Sequence, residues 1–120
     1  MTLAACAGIV QRGDPDRFRA VMSVPLPARE RLLPLYAFNV EVARAPWVTE
    51  EPLIAEMRLQ WWRDALDEIA SGGPVRRHEV VESLSDLVRS AGVPIPVLTA
   101  MIDARRWDIA REPFSDASAF

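Results

Sequence analysis

The sequence contains no lysine, a single cysteine, a single histidine and no long apolar run, and each scarcity removes a class of function. All 14 basic residues are arginine, so neither Schiff-base chemistry nor a phosphate-loop lysine is available. Cys6 has no partner for an internal disulfide, which fits a reducing compartment and a cytoplasmic location. Nothing near Cys6 in the sequence resembles an activating base, so a nucleophilic thiol is not expected. His78 alone cannot build a histidine-rich metal site. It follows Pro74 and two arginines near a helix start, where a surface or capping role is expected. No apolar run approaches the roughly 20 residues that span a bilayer. The opening "MTLAACAGIV" has no basic segment before it and no convincing cleavage site after it, so it reads as a short helix. Acidic residues outnumber basic ones, 17 to 14, for a formal charge of −3, which argues against a general nucleic-acid binder.

What is present is enough for one helical domain. Apolar residues make up 50% of the 120, which argues against disorder. Helical spacing and breakers predict five or six helices and no strand. The first covers about Leu3 to Arg12 and stops at Gly13. Asp14 and Pro15 suit the cap and first position of a second, short helix. A third runs from near Pro27 to about Ala45, with Pro34 inside it as a kink or a shifted start. Thr49 can cap a fourth that accepts Pro52 in its first turn and ends near Ala70. His78 to Ser90 and Pro96 to Arg111 complete the set. Short loops favour antiparallel neighbours. The closing "REPFSDASAF" reads as the approach to a further helix, so the expectation is one truncated domain over residues 1–120.

The stretch "EMRLQWWRDALDE" carries two adjacent tryptophans. On a wheel of about 100° per residue, Glu56, Gln60, Arg63, Asp64 and Asp67 fall on one side of this helix. Leu53, Ile54, Met57, Leu59, Trp61, Trp62, Leu66 and Ile69 fill an arc of more than half the circumference. Such a helix is expected to be buried against several neighbours, with Trp61 and Trp62 covering different partners. Arg58 falls inside the apolar arc, where an unpaired charge is costly. It either stacks on Trp62 and reaches water, or faces a cavity. Asn39 repeats the pattern on the preceding helix, whose charged strip is Glu30, Glu41 and Arg44. Arg105 repeats it on the last, beside Leu98, Met101 and Ile109. Asn39, Arg58, Trp62 and Arg105 are therefore candidate lining residues of a polar pocket within a helical bundle, the alternative being residues satisfied separately.

Three segments in order, "DPDRFRAVMSVPLPARERLLPLYAFNVEVARA", "RLQWWRDALDEIASG" and "LTAMIDARRWDIAREPF", resemble the N-terminal part of the squalene/phytoene synthase family. The resemblance implies an all-α type I isoprenoid synthase fold and, in active members, head-to-head joining of two prenyl diphosphates. Two aspartate-rich motifs hold magnesium there, a cation suited to carboxylate oxygens. In this chain the positions of the first motif's aspartates are about Ala43, Arg44 and Trp47, and the upstream arginine is Val40. Glu41 is the one acidic residue left, a vestige at most. The second motif belongs to a part of the family fold that these 120 residues do not include. No metal ligand carries over. "AFNVEVA" and "MRLQWW" further resemble the synthase-like branch that assists assembly of mitochondrial respiratory complex I and keeps the fold without the chemistry. The expectation is a non-catalytic, synthase-like assembly or interaction factor with no cofactor. It would bind a protein partner or a missing C-terminal half, or an isoprenoid or lipid at a membrane periphery. The alternative is a magnesium-dependent phytoene or squalene synthase; a plain helical interaction domain is the third reading.

Overall fold

The computed structural model describes residues 2–109, which form six α-helices and one 3₁₀ turn. No strand occurs among the described residues. In chain order the helices are α1 Thr2–Gly13, α2 Pro15–Met22, α3 Leu26–Arg44, α4 Pro52–Ser71, α5 Glu79–Ala91 and α6 Ile95–Ile109, with the 3₁₀ turn Ala45–Trp47 between α3 and α4. The expected helix end at Arg111 and the segment "REPFSDASAF" lie outside the described residues.

Local chemistry accounts for most boundaries. The Asp14 carboxylate accepts from the Arg17 amide at 3.2 Å and Pro15 takes the first position of α2. His78 Nδ1 accepts from the Val80 amide at 3.2 Å and caps α5. Thr49 does not cap α4 itself. Its hydroxyl accepts from the Glu51 amide at 3.1 Å, just ahead of the helix, and Glu51 is the N-cap residue without a side-chain bond. Gly72 ends α4 with φ 77°, a left-handed conformation that costs glycine nothing. α3 passes through Pro34 without a break. Leu33, Pro34, Ala37 and Phe38 are all buried there, and that packing offsets the backbone cost of about 3 kcal/mol.

The helices make a slab 48 × 34 × 21 Å, whose short dimension holds about two layers at the usual 8–10 Å spacing. α1 packs on α3 and α5, α3 also on α5, and α4 mainly on α6 and the 3₁₀ turn. One core runs through all six helices, with Phe38, Leu59, Leu66, Leu84, Leu98 and Ile102 among its fully buried side chains. At the α1–α3 contact Gly13 has no room for a side chain, since a Cβ would lie 2.5 Å from Val40 Cγ1.

α4 keeps its polar residues on one side as the wheel expects, with Gln60 and Asp67 exposed and others reaching α6. Arg63 pairs with Asp103, Arg106 pairs with Glu56 at 3.2 Å and donates to Gln60 at 3.1 Å, so the strip forms a polar seam with α6. Conversely, part of its apolar arc faces solvent. Ala55, Leu59, Trp62, Ala65, Leu66 and Ile69 are buried, while Leu53, Ile54 and Met57 are 72%, 43% and 64% exposed. α4 is thus not buried all round.

Candidate functional site: an open groove beside the tandem tryptophans

The exposed flank of α4 is one wall of a groove of about 530 Å³. The opposite wall is the last turn of α3 and the 3₁₀ turn, through Glu41, Arg44, Ala45 and Val48. Ile54, Met57, Arg58 and Trp61 line the α4 side, Trp62 lies at the floor, and His78 closes one end. The groove exists because the flank of α4 through Leu53, Ile54 and Met57 is left exposed while the flank beyond Trp61 is covered. The loop after Gly72 folds back over the C-terminal half. Arg76 donates to the Glu68 carboxylate at 3.1 Å and to the Trp61 carbonyl at 3.3 Å, with its guanidinium 5.0 Å from the Trp61 ring centre. Nothing comparable among the described residues reaches Leu53, Ile54 or Met57.

The tryptophans divide the work. Trp62 is buried and meets Phe38 of α3 edge-on at 5.5 Å. Trp61, expected to be buried against a different helix, is half-buried. It packs on Trp62 at 5.0 Å and on His78 at 5.2 Å, so its cover comes from its neighbour and from a loop. His78 also touches Trp62 at 5.2 Å. Three rings therefore form one aromatic cluster, locked by the α5 cap on one side and by Phe38 on the other.

The residues singled out from sequence do not all share this place. Arg58 and Trp62 line the groove. Arg58 is exposed, so it is not a cavity residue of the bundle interior; it makes no ion pair or hydrogen bond among the described residues. Asn39 is half-buried and lines a neighbouring depression with Asp14, Val40, Ala43 and Trp47, which adjoins the groove through the shared Arg44 and Val48. Arg105 belongs to neither wall and pairs with Asp108 on its own helix at 3.3 Å. Glu41 is not on an outer charged strip; it is half-buried and lines the groove, 3.9 Å from Arg44. His78 was not legible as a groove residue. It lies 16 residues beyond Trp62, and only the folded-back Gly72–Gly73 turn brings it there.

The donor set does not suit magnesium, which takes several carboxylate oxygens in near-octahedral geometry. Glu41 is the one carboxylate on the groove wall; it lies 3.9 Å from Arg44, and Arg58 lines the same groove. Among the described residues no three histidine, cysteine, aspartate or glutamate side chains converge as a metal ion would require. What the groove offers is an apolar aromatic surface with arginine at its edge. Cys6 is elsewhere, fully buried beside Ser83, and burial pushes its thiol upward in pKa, away from the thiolate form.

Comparison with known proteins adds identity to this geometry. The chain is similar to NADH dehydrogenase (ubiquinone) complex I, assembly factor 6 from Bos taurus, 29% identical over 104 residues covering 87% of this chain and 31% of the relative. The Drosophila melanogaster homolog is 36% identical over 64 residues, 52% of this chain and 19% of that protein. The Homo sapiens protein is 26% identical over 77 residues, 64% of this chain and 23% of its own. The chain thus spans less than a third of the curated relatives it matches. No solved structure matches. No described helix is long and apolar enough to cross a membrane. The squalene/phytoene synthase family model matches residues 10–120, and on that match, over an all-α framework, the chain belongs to the squalene/phytoene synthase family.

Proposed function

We propose that this protein is a synthase-like assembly or interaction factor without prenyl-transfer chemistry, serving the assembly of respiratory complex I. The observation that carries the reading is the replacement of the family's first metal-binding aspartates. Ala43, Arg44 and Trp47 stand near those positions, and Glu41, the remaining acid, is paired with Arg44 and is the only carboxylate lining the groove. The relatives support it, since all three are described as complex I assembly factor 6 or its homolog. The groove supports it as well, as an exposed apolar face on a charged protein marks an interaction site. On this reading the protein works in the cytoplasm, at the periphery of the membrane that holds the complex, through protein contacts.

A second reading rests on the same groove. Arginine beside apolar and aromatic walls also suits an isoprenoid diphosphate. Binding that anion in its ground state does not supply the cations that neutralise a leaving pyrophosphate, so affinity without turnover is the form in which a lipid ligand fits.

The reading is tested in the native host by deleting the gene and measuring assembled complex I on native gels together with NADH oxidation. Loss of complex I, restored by the intact gene and by Glu41→Gln, is the expected result. Normal complex I with loss of a carotenoid or squalene-derived product would replace this reading with the enzymatic one.

A further inference from the structure

Resting on the assembly-factor reading, we propose that the groove receives an amphipathic helix of a partner protein, and that an acidic residue on that helix pairs with Arg58. α4 supplies one wall of the groove. Leu53, Ile54, Met57 and Trp61 stand at spacings of one, three and four residues, so they form a stripe down one side of the helix. The stripe runs about 12 Å at 1.5 Å per residue, a little over two turns. It is the same kind of ridge that Ala55, Leu59, Trp62 and Leu66 form on the buried side, where α4 packs into the molecule. A helix laid along the groove would meet Val48 on the other wall and complete a three-helix contact. A flexible methionine next to tryptophan is a composition that accepts such anchors.

Charge selects among helices. The protein as a whole is negative, yet the groove wall carries two arginines against one glutamate. Arg44 is already matched with Glu41 at 3.9 Å. Arg58 is left over among the described residues, on the rim of an apolar strip where a paired charge gains more than it would in open water. The nearby Glu56 does not fill the role, because it is turned to Arg106 on the far side of α4. A lipid headgroup would also answer Arg58, but two helical walls spaced around a two-turn stripe fit a rod better than a splayed acyl chain.

The test uses the 120-residue chain and two labelled peptides, each a helix of roughly three turns with leucines at i, i+3, i+4 and i+7. One peptide carries glutamate at the edge of its apolar face, the other lysine in the same place. Fluorescence anisotropy should show the glutamate peptide binding at least about tenfold more tightly than the lysine peptide. Arg58→Glu should reverse that preference, and Met57→Asp should abolish binding of both. Arg58 is exposed, so both variants should melt like the parent by circular dichroism, which separates lost binding from lost fold.

Equal binding of the two peptides, or an unchanged preference in Arg58→Glu, would overturn the proposal. So would peptide-independent binding to phosphatidylglycerol vesicles lost in Met57→Asp, which would assign the groove to a lipid surface. Sedimentation showing a dimer that Met57→Asp dissolves, with no peptide bound, would assign it to a second copy of the chain. Failure here is distinct from failure of the assembly-factor reading. If Met57→Asp lowers complex I in cells while the peptides bind alike, the helix pairing is wrong and the reading stands. If complex I is unaffected by gene deletion, the reading falls, and a charge-reversing peptide preference would still establish a helix groove.

Discussion

α5 and α4 are both amphipathic helices of one small domain, and they resolve their apolar surface differently. α5 carries Val80, Val81, Leu84 and Leu87 on one face, and α1 and α3 cover that face entirely. α4 carries apolar residues over more than half its circumference, and its neighbours cover only the stripe through Leu59, Trp62 and Leu66. The difference shows what two layers of helices can and cannot bury. A one-faced helix is complete in such a slab, whereas a helix written for three neighbours keeps a bare side. On α4 that bare side is where the aromatic cluster, Arg58 and the groove are found.

The largest expected effects break the comparison at its buried members. Leu84→Ala on α5 should cost about 2–5 kcal/mol, and Trp62→Ala about 3–5 kcal/mol, because both leave cavities in a closed core. Leu53→Ala, on the bare side of α4, should stay within about 0.5 kcal/mol. Urea melts of the three variants check this, and a Leu53→Ala penalty like that of Leu84→Ala would mean that the groove is closed in solution.

Next in size is Gly13→Ala. The added Cβ would meet Val40 Cγ1 at 2.5 Å, and a β-branched neighbour in a buried contact has little freedom to retreat. A loss of about 1–3 kcal/mol is expected from such overpacking. The urea midpoint of the variant measures it, and Val40→Ala in the same chain should relieve the clash.

Smaller still is the polar seam between α4 and α6. Arg63 and Asp103 are one-third and one-half exposed, so their pairing is screened by water. A double-mutant cycle should give a coupling of about 0.2–1 kcal/mol. A coupling well above that range would make the seam, rather than the buried stripe, what fixes the rotation of α4.

The mildest expectation concerns Cys6. Its folded-state pKa lies above the ordinary 9.0, chiefly through burial. The folded state therefore holds the thiol proton more firmly than the unfolded state does. The associated stability is complete below pH 9.0 and declines as pH rises from there towards the folded value. A thiol reagent at pH 8 should modify the native chain far more slowly than the urea-unfolded chain, and melting temperature should fall between pH 9 and 10 by less in Cys6→Ala than in the parent.

The sequence disclosed the helices well because their signals are local. Asp14 with Pro15, the breaker at Gly72 and the spacing of Val80, Val81, Leu84 and Leu87 each act within one or two turns. The candidate site was less legible. Trp62 and Arg58 could be marked as unusual from the wheel alone, but a wheel cannot say which flank of a wide apolar arc finds a neighbour. That choice is made by the packing of Ala55, Leu59, Trp62 and Leu66 into the core, with Glu56, Gln60 and Arg63 meeting Asp103 and Arg106 from more than 35 residues away in the chain. Asn39 and Arg105 broke the same local pattern, yet one lines the adjoining depression and the other answers Asp108 on its own helix. Glu41 lines the groove because the chain beyond α3 packs the 3₁₀ turn against α4 beside it, a contact that no wheel shows. His78 enters the groove through a loop whose path no periodicity encodes.

The central claim is that this groove binds without catalysing, and pyrophosphate release tests it most directly. The purified chain is incubated with farnesyl or geranylgeranyl diphosphate and magnesium, and free pyrophosphate is followed against a control without protein. A lone carboxylate already paired with Arg44 predicts no release above the control. Release that depends on magnesium and disappears in Glu41→Gln would contradict the account and make Glu41 a metal ligand.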